Sequence, residues 1–199
     1  TRDSEWPSAT ATLTNKTLDV EGAGNSVTTV SKVWLAAASC QNTTAALLWD
    51  TPTTNIPTAI CNTGANTQKG AAQFPDSDGD FALHYSFPLP SDFTGSIDAK
   101  FKWYAAATTG DVVWQLATVC VADGETSDPS FNTASTVTDT AKATANQDND
   151  ASITSVTITG CAPGEMLYLK LLRNRTHASD TITGTVQLRG LELTLRRAQ

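Results

Sequence analysis

The sequence predicts an all-β, antiparallel fold of about eight to ten strands, packed as a sandwich or a barrel. Three observations lead there. Apolar residues alternate with polar ones at period two in segment after segment, while helical spacing is hard to find. Clusters of Gly, Pro, Asn and Asp separate these segments at strand-sized intervals. Thirty-three of the 199 residues are threonine and only 17% are charged, a composition that covers outer strand faces with hydroxyls rather than with Lys and Glu.

Taken in order, residues 1–25 are the more polar part, with Trp6 and Pro7 isolated from the other aromatics. Residues 1–25, with weak alternation at 9–14, read either as an edge strand or as an N-terminal arm, of which 1–14 is the part that would pack on a neighbouring subunit. Residues 26–199 read as one β-sandwich domain, a length that supports a single sizeable core. Weak alternation at 27–35 and 45–49 opens it. The segment FPDSDGDFALHYSF then runs from an aspartate-rich turn into a clear strand bearing Phe81, Leu83, Tyr85 and Phe87. LPSDFTG is a proline-stopped turn before Ile97, Ala99, Phe101 and Trp103. TTGD at 108–111 reads as a β-hairpin turn leading to Val112, Trp114 and Leu116, with Trp103 and Trp114 as cross-strand partners. Residues 122–152 are the longest stretch of low hydrophobicity, with room for an edge strand at 135–143. Strands follow at 153–158, 166–172, 182–188 and at Leu191, Leu193 and Leu195, with CAPGE as a turn and Gly190 as a bulge. Trp34, Trp49, Trp103 and Trp114 all sit in apolar alternation and read as core.

The net charge of −7 and the pI near 4.6 repel phosphate backbones and anionic headgroups, which argues against nucleic acid and membrane surfaces as partners. No apolar run approaches the roughly 20 residues that span a bilayer as a helix. The four cysteines show no CxxC spacing of the kind used for zinc or redox chemistry, so disulfides lead over buried free thiols. Four cysteines admit three connectivities. Cys40 and Cys61 bracket a Pro- and Thr-rich loop, and Cys120 and Cys161 close strand-like segments, which favours pairing 40 with 61 and 120 with 161. Two disulfides imply an oxidising destination such as the cell exterior, the periplasm or a particle surface.

Three patterns in the sequence bear on chemistry. Most acids lie in turns, but Asp98 and Glu192 interrupt strands and are the pair a glycosidase would need; a solvated polar face is the ordinary reading. The two histidines, His84 and His177, have no serine in a GxSxG context, and HExxH, GxxxxGK[ST] and GxGxxG do not occur, so an enzyme is not expected. Asp76, Asp78 and Asp80 could supply oxygens to calcium, although the twelfth position from Asp76 is Phe87 rather than an EF-hand glutamate. A turn in which Asp side chains accept backbone N–H bonds is the competing and preferred reading, and no cofactor is required. For sugar stacking, Trp6 and Tyr104 are the aromatics free to be exposed.

FKWYAAATTGDVVWQLATVCVADGE, ITGCAPGEMLYLKLLRNR and DTITGTVQLRGLELTLRR carry a GDVxW turn, a cysteine closing the next strand, a GCxxGE turn, an arginine ending a strand and a long final alternation. Together they resemble the jelly-roll domains of bacteriophage and environmental virion-associated structural proteins. The resemblance implies a jelly-roll sandwich and a non-catalytic structural or attachment role in a virion or extracellular assembly, with copies of itself or other particle subunits as partners. The alternative is a secreted carbohydrate-binding module with a glycan partner. No catalytic motif is carried over.

Overall fold

A computed structural model describes residues 28–63, 66–77 and 79–198. Ten strands form two facing antiparallel sheets and two more form a ribbon, an all-β jelly-roll-like sandwich. The strands are β1 (Thr28–Ala36), β2 (Ala38–Gln41), β3 (Thr44–Leu47), β4 (Thr58–Thr63), β5 (Gln68–Phe74), β6 (Ala82–Pro88), β7 (Phe93–Ala105), β8 (Asp111–Val121), β9 (Ser135–Thr140), β10 (Asn149–Val156), β11 (Met166–Arg173) and β12 (Val186–Ala198). One sheet runs β10-β7-β12-β5-β4, and β1 pairs with the C-terminal half of β12 beyond the point where β5 leaves it. The other sheet runs β6-β11-β8-β9. From β6 onward the chain passes repeatedly from one sheet to the other, as the strands of a jelly roll do.

The period-two pattern does the sorting. On β7, Ile97, Ala99, Phe101 and Trp103 point inward and are buried, and on β12, Leu188, Leu191, Leu193 and Leu195 do the same. They meet Leu83, Trp114, Leu116, Leu167, Leu169 and Leu171 of the opposite sheet. Trp114 is the centre of an aromatic group. It stacks on Phe101 at 5.6 Å and meets Phe74 and Trp103 edge-on at 5.2 and 6.5 Å.

That geometry corrects the hairpin expected at TTGD. β7 and β8 belong to different sheets, and Trp103 and Trp114 touch across the core rather than along a ladder. A four-residue turn serves an arch between sheets as readily as a hairpin, and the apolar faces of the two strands settle which forms. The bulge at Gly190 is present, because the register of β12 against β7 shifts between Leu188 and Gly190. Segments 182–188 and 191–195 are therefore one interrupted run, of which 186–198 forms a single strand.

Disulfides join Cys40 to Cys61 and Cys120 to Cys161. The first straps the β2–β3 ribbon onto the β4–β5 hairpin, where β2 passes so close that a Cβ on Gly70 would lie 2.3 Å from the Ala38 carbonyl oxygen. The second ties β8 to the turn before β11. Closing loops of 21 and 41 residues stabilises the fold by about 3 and 4 kcal/mol on the chain-entropy model.

Two of the polar groups at the core boundary bear on stability. Arg173, at the end of β11, is 1% exposed and uses all five of its N–H donors. Nε and Nη2 bind the Asp180 carboxylate at 3.0 and 2.6 Å, Nη2 also reaches Ile182 O, and Nη1 reaches Gly184 O and Phe74 O. Asp180 accepts one further bond, from the Val113 amide. The loop from β11 to β12 is thereby pinned to both sheets.

The second group is Asp139, which accepts the Trp103 indole N–H at 2.8 Å. Burial lifts its carboxyl above the usual 3.8, against the opposing pull of that hydrogen bond. The folded state then holds the proton more tightly than the unfolded chain, so stability is lost as pH rises from 3.8 through the folded value. Asp139→Asn is expected to raise Tm at neutral pH and to leave it unchanged at about pH 3, below both values. Thermal melts across that range check it, and an equal effect at both pH values would contradict it.

Candidate functional site

The two sheets bury one face each and expose the other. On the outer face of the larger sheet, the alternation that sends Phe101 and Leu191 inward sends Asp98, Lys100 and Lys102 of β7 outward, beside Glu192 and Thr194 of β12. Lys32 and Trp34 of β1 and Asp150, Ser152 and Thr154 of β10 flank them. The face is a field of paired charges, with Lys32–Glu192 at 2.9 Å, Lys102–Asp150 at 2.6 Å and Arg196–Asp98 at 2.9 Å. Exposed pairs of this kind add little stability.

One feature of this face is not ordinary. Trp34 is 50% exposed, contrary to the core position its apolar neighbours suggest. Its partner on β12 is Glu192, on the outward side of the ladder, so strand parity turns the indole to solvent. The ring is laid down on Gly190. A Cβ at that glycine would sit 2.7 Å from Trp34 Cζ2 and Cη2 and 2.4 Å from the Leu35 carbonyl oxygen, so a larger residue would displace both ring and strand. The β12 bulge makes this arrangement by turning two successive residues, Arg189 and Gly190, toward one face between inward-pointing Leu188 and Leu191. The glycine seats the ring and the arginine stands beside it.

Arg189 Nη1 donates to both carboxylate oxygens of Asp148, at 3.0 and 2.9 Å. Asp148 comes from the turn before β10 and Asp150 from β10 itself, so the short run Asp148-Asn149-Asp150 supplies both of the cleft's acids. Trp34, Lys102, Asp148, Asp150 and Arg189 together line an open cleft of about 280 Å³. A flat aromatic face beside convergent donors and acceptors can bind a ligand with one apolar face and a polar edge.

Further along the same face, Asp98 and Glu192 share a groove of about 140 Å³. Neither suits proton transfer. Asp98 accepts the Ser155 amide N–H and an Arg196 N–H, which hold its carboxyl below the usual range. Lys32 does the same for Glu192. A general acid needs a raised pKa, and both groups are held as carboxylates.

The other expected residues are placed as follows. Tyr104 is 3% exposed, with its hydroxyl accepting from Asn62 Nδ2 at 2.6 Å, so the stacking role expected of it is corrected: the ring has no free face. Burial raises the pKa of that hydroxyl. Asp76 accepts from Arg175 Nε at 3.0 Å, Asp80 is exposed, and Asp78 lies outside the described residues. Among the described residues no group of three or more His, Cys, Asp or Glu is arranged to hold a metal ion. Trp6 and the 1–14 arm also lie outside the described residues. His177 accepts the Ser179 amide within a turn. His84 lies on the outer face of the smaller sheet, edge-on to Phe131 at 5.7 Å, in a depression of about 260 Å³ that also contains Tyr168 and Asp128. Burial and, less strongly, Lys170 hold its imidazole below the usual pKa.

The sequence does not mark Trp34, Gly190 and Arg189 as a site, because VWLAAA at 33–38 is a continuous apolar run without readable parity. The signal in the sequence is the bulge glycine, which sits on β12 at the far end of the chain from the ring on β1 and meets it only as a neighbour in the sheet.

No protein-family model and no curated protein sequence matches the chain. Solved structures do. A family 35 carbohydrate binding module from Clostridium thermocellum aligns at a TM-score of 0.42 and 16% identity, covering 82% of this chain and 97% of the module. The K2 cleaved adhesin domain of Lys-gingipain aligns at 0.46 and 11%, covering 82% and 97%. The enzymatically active domain of tailspike protein 4 from bacteriophage CBA120 aligns at 0.36 and 11%, covering 84% of this chain and 19% of that one. At such scores the likenesses transfer neither ligand nor role.

Proposed function

We propose that this chain is a secreted, non-catalytic carbohydrate-binding domain whose ligand stacks on Trp34. The observation that carries the reading is the indole itself: a half-exposed tryptophan, seated on a glycine, within a cleft edged by Arg189, Asp148, Lys102 and Asp150. The C–H face of a pyranose ring is weakly positive and packs on the negative face of an indole, while its hydroxyls reach the polar rim. The depressed carboxyls of Asp98 and Glu192 favour binding over hydrolysis, and the two disulfides suit an oxidising exterior. Attachment to a glycan-bearing surface follows directly from such a cleft. A particle-building role, by contrast, rests on the 1–14 arm and Trp6, which lie outside the described residues.

The test is a glycan array probed with the purified chain, with hits titrated by calorimetry and Trp34→Ala as the control. The expected result is a set of glycans bound by the chain and released by that substitution. An array with no bound glycan, or binding that ignores Trp34, would overturn the reading.

A further inference from the structure

We infer that the Trp34 cleft selects uncharged sugars, reading two neighbouring hydroxyls through the Arg189–Asp148 ion pair rather than a ligand carboxylate through its cations. This inference rests on the carbohydrate reading of the same cleft. The cleft contributes two cations and two carboxylates, Lys102, Arg189, Asp148 and Asp150. Each cation already has a carboxylate, Arg189 with Asp148 and Lys102 with Asp150, so the charges of the lining residues balance; Lys100, next to the cleft, shares Asp150 with Lys102 at 3.7 Å. A uronate or other acidic sugar could gain a cation only by competing with one of these aspartates, and the displaced carboxylate would then face the ligand's own charge.

A hydroxyl meets no such conflict, because it donates and accepts at once. Among the described residues, Arg189 engages Asp148 through Nη1 alone and Lys102 engages Asp150 through Oδ2. That leaves the Nε and Nη2 edge of the guanidinium to donate, and a further lone pair on each Asp148 oxygen to accept. Across one ion pair, a first hydroxyl can accept from the guanidinium while its neighbour donates to the carboxylate. Stacking on Trp34 lays the C–H face of the sugar down and turns its equatorial hydroxyls sideways, toward these groups. The ion pair is open to water, at 31% exposure for the arginine side chain and 50% for the aspartate, so ligand hydroxyls replace water without a buried charge being stranded.

The experiment titrates neutral oligosaccharides (gluco-, manno- and xylo-oligomers) and oligogalacturonates of matched length against the chain and against Asp148→Asn, at low and high sodium chloride. The half-exposed Asp148 makes that variant structurally mild. The inference expects neutral oligomers to bind with an affinity that salt changes by less than about twofold, because no net charge is exchanged. Asp148→Asn should weaken this binding by about tenfold or more, through loss of a charge-assisted hydrogen bond. Oligogalacturonate should bind weakly and gain affinity on Asp148→Asn, because the competing carboxylate is removed. Its preferred binding by the unaltered chain, no such gain on Asp148→Asn, or indifference of neutral binding to that substitution would each overturn the inference while leaving carbohydrate binding intact. Absence of binding to every oligomer, together with an empty glycan array, would overturn both.

Discussion

Arg173→Met is expected to lower the unfolding free energy by about 3–5 kcal/mol, the cost of breaking a buried ion pair from one side. Methionine matches the aliphatic stem but removes five donors at once. Asp180, whose side chain is 1% exposed, would keep only the Val113 amide as a partner, and the carbonyls of Ile182, Gly184 and Phe74 would lose theirs. A lone buried carboxylate and three stranded acceptors cost far more than the lost packing. Urea unfolding monitored by tryptophan fluorescence reads the change. Adding Asp180→Leu to Arg173→Met should recover a substantial part of it, because the uncompensated charge is then gone. A loss below about 1 kcal/mol in the single variant would mean that water or a rearranged loop satisfies Asp180.

Trp34→Ala is expected to reduce glycan affinity by about thirtyfold or more, the loss of about 2 kcal/mol typical of an aromatic anchor at the centre of a recognition site. Its effect on stability should be small. The side chain is half exposed and touches backbone at Gly190 rather than the inner core, and surface truncations of this kind usually change stability by roughly 0.5 kcal/mol. The separation of the two readouts is what identifies a platform. Trp34→Phe, which keeps a flat ring, should retain part of the affinity. A large drop in Tm without a specific loss of binding would instead make Trp34 a structural lid over the bulge.

Much of the fold was legible because its strongest strands are half-buried. β6, β7, β8 and β12 carry the clearest alternation, broken in β12 by its bulge and in β8 by the buried Val113, and an alternation states which residues face the core without stating what they face. The hairpin error at TTGD came from that gap, since nothing local to Trp103 and Trp114 distinguishes neighbours on one ladder from contacts across two layers. β2, β4 and β5 were invisible for a different reason. Their apolar content is held down by crowding: the ribbon lies so near β5 that Gly70, Ala71 and Ala72 leave no room for the large side chains by which strands announce themselves. The cleft was the least legible part. Its ring, glycine and ion pair come from β1, β12 and the turn before β10, and only the sheet brings positions so distant in sequence together.

The way β1 is held gives the cleft a dynamic property. Among the described residues β1 pairs with β12 alone, whereas β7 and β12 each have a ladder on both sides. In native-state hydrogen exchange, the amides of β1 should therefore open at lower free energy than those of β7 and β12, taking the indole with them when the strand peels away. A ligand stacked on Trp34 binds only the closed strand, so it should slow exchange along β1 in proportion to its own occupancy.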